Sequence, residues 1–174
     1  LLPIWNMYSF MVMYANLHDW SPTDQTVDLN SMDETSGHAM DQWIKTRYKE
    51  TVIKYTHLMD EYKIAEATRE MKKFMDEDLS KWFIRSSRGR FVEGQESALE
   101  TLYQCLVGLL HLYAPMAPFL SEYLYQRLVI DAKVEAPESL HLSYLPEYSD
   151  FENKKLLKEM AALREWVDAG FRLR

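Results

Sequence analysis

Glycine and proline are scarce in this sequence, with five and six among 174 residues. Because these residues interrupt regular structure, their scarcity favours long helices over a fold of many short strands. Cysteine is limited to Cys105, which excludes an internal disulfide framework and suits a reducing compartment, so we expect a cytoplasmic protein. No apolar run approaches the roughly 18 residues that cross a bilayer, so no membrane partner is expected. The 47% of hydrophobic residues can form one sizeable core.

Catalytic and metal-binding signatures are also missing. The glycines are isolated, so there is no phosphate-binding loop, and Ser86-Ser87 lacks a glycine elbow or a histidine base. Cys105 lies among apolar residues, which argues against a reactive thiolate. The five histidines are scattered, with no pair at metal-ligand spacing: His18, His38, His57, His111 and His141. We therefore predict no catalytic residue, no metal site and no cofactor in this chain.

Positive charge is absent from residues 1–44, which contain six acidic side chains and no lysine or arginine. The net charge of −7 argues at first against a nucleic-acid partner. However, most of the imbalance lies in those first residues, whereas 81–94 contains four basic side chains and one acid, Glu93. Because binding depends on the local field, the second stretch is compatible with a nucleic-acid partner.

Apolar spacing predicts an all-α antiparallel helix bundle that forms a single domain over 1–174. Residues 4–18 are apolar nearly all round and are expected to form a buried helix. An acidic stretch rich in Ser, Thr and Asp follows, and 19–37 is therefore expected to be a solvated loop. Near the other end, 131–150 is predicted as a polar connection. The last helix begins within 152–174 and leads towards a further C-terminal region.

Four more helices are predicted between these segments. Asp41 is placed to cap the second helix, and the third is expected to run on to a stop at Gly89. The fourth covers 96–113, and Pro118 suits the first turn of the fifth. A short β-like piece is expected at 140–142.

The stretch 78–91 carries the strongest functional signal from the residues themselves. Lys81, Arg85 and Arg88 recur at spacings of four and three, so an α-helix would place them on one face. Cationic side chains beside flat rings are the groups that contact phosphates and unstacked bases of RNA. The alternative is a solvated helix face whose charge is balanced by the acidic run at 76–78.

Four further residues near this stretch, or on the second helix, are candidates for the same surface. Trp82 continues the apolar stripe of its helix, which favours a core position over a stacking platform. Phe91 lies past the helix and suits either role. Arg90 is expected to be free of the helix, where it would reach a phosphate or solvent, and Arg47 is a surface candidate.

Five motifs in the same order resemble those of isoleucyl-tRNA synthetases. The stretch at 78–91 (DLSKWFIRSSRGRF) resembles a segment of the helical anticodon-binding domain of that family. The other four matches together extend the resemblance over essentially the whole chain: LPIWNMYSF with YAN at 2–16, DQWI with Arg47 at 41–47, LYAPMAPFLSE at 112–122 and ESLHL at 138–142. Each motif is weak alone, but five in one order are specific.

The resemblance implies a fragment of a class I aminoacyl-tRNA synthetase. The full enzyme of that family attaches isoleucine to tRNA(Ile) using ATP, with zinc as a further candidate cofactor. Its two ATP-binding signatures, HIGH and KMSKS, are absent here, so this chain is expected to bind tRNA and to catalyse nothing alone. The implied partners are the anticodon arm of tRNA(Ile) and the catalytic, editing and C-terminal regions of the same enzyme, without DNA. The residues expected to contact tRNA are Arg47, Lys81, Trp82, Arg85, Arg88, Arg90 and Phe91.

Some residues depart from the family pattern. Gln42 and Gly89 stand where basic residues are usual, and Val92 stands where tryptophan is common. These departures affect RNA contacts more than the fold. Two alternatives remain: the same domain of a valyl-, leucyl- or methionyl-tRNA synthetase, or a non-enzymatic protein-interaction bundle with an acidic N-terminal surface.

Overall fold

The computed structural model describes residues 2–35 and 37–172, and within them it contains helices and no strand. The prediction of an all-α fold is confirmed. The α-helices are α1 (Leu2–Leu17), α2 (Asp24–Val27), α3 (Ala39–Asp60), α4 (Ile64–Lys73), α5 (Arg88–Val92), α6 (Glu96–Tyr113), α7 (Pro118–Tyr125) and α8 (Lys154–Arg172). Two π-helical segments continue α4 and α7 without a break, over Phe74–Ile84 and Gln126–Ile130. No helix of the described part combines the length and apolarity of a bilayer span.

Helix α6 forms the centre of the bundle, and its predicted range of 96–113 is confirmed. Most of its side chains are buried, because α1, α3 and α7 all pack against it. The expectation that the first helix is buried all round is wrong. Helix α1 buries Ile4, Met7 and Met11, whereas Trp5 and Met13 lie on its exposed side.

Several predicted boundaries move for local reasons. Helix α3 begins before Asp41, because the His38 ring accepts a hydrogen bond from the backbone N–H of Met40 (3.1 Å). The third helix does not run on to Gly89. It is interrupted at Ser87, and α5 then ends before Gly94, which adopts a φ of +70° that glycine tolerates best.

The expected β-like piece at 140–142 is wrong, since Leu140–Leu142 forms a 3₁₀ turn. The hydroxyl of Ser139 accepts a hydrogen bond from the backbone N–H of His141 (3.2 Å), which favours a turn. The backbone N–H of Leu140 donates to a carboxylate oxygen of Glu122 (3.0 Å), and this bond ties the turn to α7. No neighbouring strand is available among the described residues, so an extended piece would leave its backbone groups unpaired.

The acidic stretch at 19–37 is more ordered than a solvated loop. It contains α2 and a 3₁₀ turn at Leu29–Ser31, and it buries Leu29 and Met32 in the core. Glu34 is buried as well and forms an ion pair with Lys49 of α3. These contacts fasten the stretch to the bundle although its sequence is polar.

Candidate nucleic-acid interface

The π-helical segment Phe74–Ile84 positions the predicted interface. Its inner side chains are fully or nearly fully buried, and Phe74, Leu79 and Phe83 anchor it to the core. A π-helix pairs residues five apart instead of four, so side chains no longer repeat at the α-helical spacing. Lys81, Arg85 and Arg88 therefore do not share one α-helical face, and this expectation from the sequence is wrong.

These three cations are nevertheless all exposed. Lys81 lies within the π-helical segment, Arg85 follows its end, and Arg88 begins α5. Among the residues that the structure describes, no ion pair engages any of the three. They follow one another along the end of the π-helical segment and the start of α5, and hereafter "the basic tip" means Lys81, Arg85 and Arg88.

Arg90 does not belong to the basic tip, and the expectation that it is free of the helix is wrong. It lies within α5, and its guanidinium donates to both carboxylate oxygens of Asp41, at 2.7 and 2.5 Å. Its Nε also donates to Gln95 (2.9 Å), which leaves the side chain 11% exposed. Such a bidentate pair is geometrically specific and ties α5 to the start of α3.

Phe91 is fully buried, so its ring is not exposed to a ligand in this conformation, and its predicted contact with tRNA stays a prediction. Its ring meets those of Phe83 and Phe10 edge-on, with centroid distances of 6.0 and 5.1 Å. The backbone carbonyl of Phe91 also lies 2.9 Å from Nε2 of His18. Phe91 therefore packs α5 against α1 and the π-helical segment.

Arg47 is likewise held in an internal network. Its Nε and Nη2 donate to one carboxylate oxygen of Asp78 at 3.1 and 2.9 Å, and it also pairs with Glu50. Burial acts to lower the pKa of Arg47, but its attraction to Asp78 and Glu50 outweighs this effect and raises the pKa. Arg47 is thus held by two carboxylates within the bundle, and its predicted contact with tRNA stays a prediction.

Asp78 is buried, although the run at 76–78 is acidic throughout. Its other carboxylate oxygen pairs with Arg164 of α8. The Arg164 guanidinium lies 5.7 Å from the ring centroid of Trp43 and 5.2 Å from that of Trp82. This cluster fastens α8 to the bundle by charge and by cation–π contact.

Trp82 is half-buried, and Arg164 covers part of its ring. The ring therefore serves the α8 contact rather than offering a free platform to a base. Its position on the apolar stripe favoured a core role, and its packing against the core is in line with that expectation.

Cys105 is not available as a nucleophile. Cys105 is fully buried in α6, and burial raises the pKa of its thiol to about 12. At neutral pH the thiol is therefore protonated and inaccessible.

A family model supplies the deciding comparison. Residues 41–174 match the model described as the anticodon-binding domain of tRNA ligase, which covers most of the chain. This chain belongs to the anticodon-binding domain family of tRNA ligases. The match includes the basic tip and the ion pairs of Asp78 with Arg47 and Arg164, so both lie within the anticodon-binding domain itself.

Isoleucine–tRNA ligases from several organisms are similar to this anticodon-binding domain. The protein from Protochlamydia amoebophila is 36% identical and aligns with the whole chain, and that from Clostridium novyi is 37% identical over 85% of it. The protein from Thermus thermophilus is 35% identical over 96% of the chain. The chain spans only 16%, 14% and 16% of the lengths of these three relatives.

Sequence reasoning missed two residues that shape this domain, Asp78 and Arg164. Asp78 lies three residues after Met75 and four before Trp82, so a sequence-based prediction of an α-helix would place it on the apolar stripe. A carboxylate at such a position requires a cationic partner, which is a signal that the sequence does contain. No comparable signal marks Arg164, because its contacts come from packing α8 against two distant helices.

Proposed function

We propose that this domain binds the anticodon arm of tRNA(Ile) as part of an isoleucine–tRNA ligase. The full enzyme would attach isoleucine to that tRNA using ATP, with zinc as a further candidate, both bound by regions outside this chain. Those catalytic, editing and C-terminal regions would be its partners within one cytoplasmic protein.

The observation that carries the proposal is the contrast between free and paired cations. Arg47 and Arg90 are engaged by buried carboxylates, whereas the basic tip is exposed and unpaired within the described residues. An exposed cation without an acidic partner can exchange its counterions for a phosphate. The basic tip would thus fix the backbone of the anticodon loop, while polar groups beside it read unstacked bases.

The test is a fluorescence-anisotropy titration of tRNA(Ile) with the wild-type chain and with Arg85→Ala/Arg88→Ala, at several salt concentrations. We expect the double variant to bind about tenfold more weakly, which corresponds to roughly 1.4 kcal/mol. Loss of two phosphate contacts should also reduce the slope of log affinity against log salt by about 1.4.

Lys155→Ala/Lys158→Ala is the matched control, because it removes two exposed charges from α8 and leaves the basic tip intact. Equal weakening by both variants would mean that net charge alone governs binding, and the proposed interface would be wrong. Titrations of valine and methionine tRNAs test the isoleucine assignment, since equal affinity for all three would contradict it.

A further inference from the structure

A groove separates α1 from the π-helical segment, directly beside Lys81 of the basic tip. Its volume is about 460 Å³, which lies within the ~300–1,000 Å³ range of small-molecule sites. Its apolar lining includes Pro3, Met7 and Phe10 of α1, with Ile84 from the opposite side. Apolar side chains of this kind can contact the face of an aromatic ring that has left its stack.

Polar groups also line the groove. Asn6 of α1 offers an amide donor and an amide acceptor, and Ser80 of the π-helical segment offers a hydroxyl. Within the described part of the chain, no hydrogen bond occupies either side chain. Their donor and acceptor capacity is available to the edge of a bound base.

The charges of the groove distinguish a base from a phosphate. Asp76 lines the same groove, and its carboxylate repels an anion but accepts a hydrogen bond from an exocyclic amine. Lys81 is exposed at the groove and can attract a phosphate. The arrangement therefore suits an uncharged ring joined to an anionic backbone. π-Helical turns recur at functional sites, which agrees with the location of the groove.

We propose that this groove receives one unstacked nucleobase of the anticodon loop, with Asn6 and Ser80 bound to its edge and Lys81 to the adjacent phosphate. The inference rests on the proposed tRNA binding and adds the place at which a base is read. It makes Asn6 and Ser80 specificity-determining residues, whereas Arg85 and Arg88 supply affinity without regard to the base.

The experiment uses anticodon stem-loop RNAs in which each loop base in turn is replaced by an abasic nucleotide. We expect the wild-type chain to lose about tenfold in affinity at one loop position, since a base in a polar pocket contributes roughly 1–3 kcal/mol. Asn6→Ala/Ser80→Ala should bind the intact RNA more weakly by a similar factor. In this variant the abasic change at that same position should lower the affinity little further, because the side chains that bind the base are already missing.

Ser9→Ala/Asn16→Ala is the matched control, since it removes one serine and one asparagine from exposed positions of α1 outside the groove. It should bind every RNA as the wild type does. If Asn6→Ala/Ser80→Ala binds every RNA as the wild type does, the base-reading proposal is wrong. It is also wrong if every abasic change lowers the affinity of the wild-type chain to the same extent.

Arg85→Ala/Arg88→Ala separates this failure from failure of tRNA binding itself. If the arginine variant binds all the RNAs more weakly and Asn6→Ala/Ser80→Ala binds them as the wild type does, the groove proposal is wrong and the proposed function stands. No binding of any RNA by the wild-type chain would overturn both. Circular dichroism of each variant establishes that its helix content is unchanged.

Discussion

Gly108 is a residue at which α6 lies close against Tyr48 of α3. A Cβ atom added there would lie 2.3 Å from both Cζ and the hydroxyl oxygen of Tyr48. Tyr48 is fully buried, so its ring has no free space into which it can move. The core at this point therefore requires a residue without a side chain at position 108.

Gly108→Ala should destabilise the chain by about 2 kcal/mol. Alanine improves helix propensity by about 1 kcal/mol, but overpacking a tight core costs roughly 1–3 kcal/mol or more, and here the clash with Tyr48 is severe. Urea denaturation followed by circular dichroism measures the difference. Gly170→Ala is the control, because nothing lies within 4 Å of the added Cβ and a small gain in stability is expected. Equal effects of the two changes would contradict the clash.

At the scale of elements, α8 depends on a few long-range contacts for its position. It packs against α3, and Arg164 connects it to Asp78 and to the rings of Trp43 and Trp82. Much of the remaining surface of α8 is exposed. The helix can form from local spacing, but Arg164 determines where it lies.

Arg164→Ala should loosen α8 and lower the free energy of unfolding by about 2 kcal/mol, since a hydrogen-bonded charge pair is lost while Arg47 still neutralises Asp78. Hydrogen exchange should accelerate in α8 more than in α6. Arg127→Ala is the control, because Arg127 pairs with Asp131 at a solvent-exposed site and such pairs contribute little. Unchanged exchange in α8 would show that Arg164 does not hold it.

At the scale of the whole molecule, one histidine couples folding to pH. His111 of α6 is largely buried, and burial lowers its pKa, although the hydrogen bond with the carbonyl of Val107 (2.9 Å) acts in the opposite direction. Its ring also meets that of Tyr125 edge-on. Folding therefore favours the neutral ring.

The free energy of unfolding should fall as the pH is lowered through about 6.5, where the unfolded chain begins to take up a proton that folded His111 resists. This loss continues down to the lowered pKa of the folded state and is absent above neutral pH. Urea denaturation at pH 7.5, 6.5 and 5.5 measures it, with His111→Gln as the reference that lacks the titrating ring. An identical pH dependence of wild type and variant would exclude this role of His111.

The sequence by itself determined the helical class and the central helix. The scarcity of glycine and proline, and the apolar spacing within 96–113, predicted long helices because backbone hydrogen bonds and side-chain periodicity are local. The order of five motifs also indicated the family. Spacing failed at the basic tip, because the shift to a π-helix depends on how Phe74, Leu79 and Phe83 are buried.

Only the tertiary structure decided which cations are free for a ligand. Arg90 is paired with Asp41, and Arg47 with Asp78, each across a distance along the chain that no local pattern reports. The packing of α1 near the π-helical segment likewise places Asn6 and Ser80 in the lining of one groove. The physical reason is that pairing and concavity depend on how helices dock, whereas helix formation depends on neighbours in sequence.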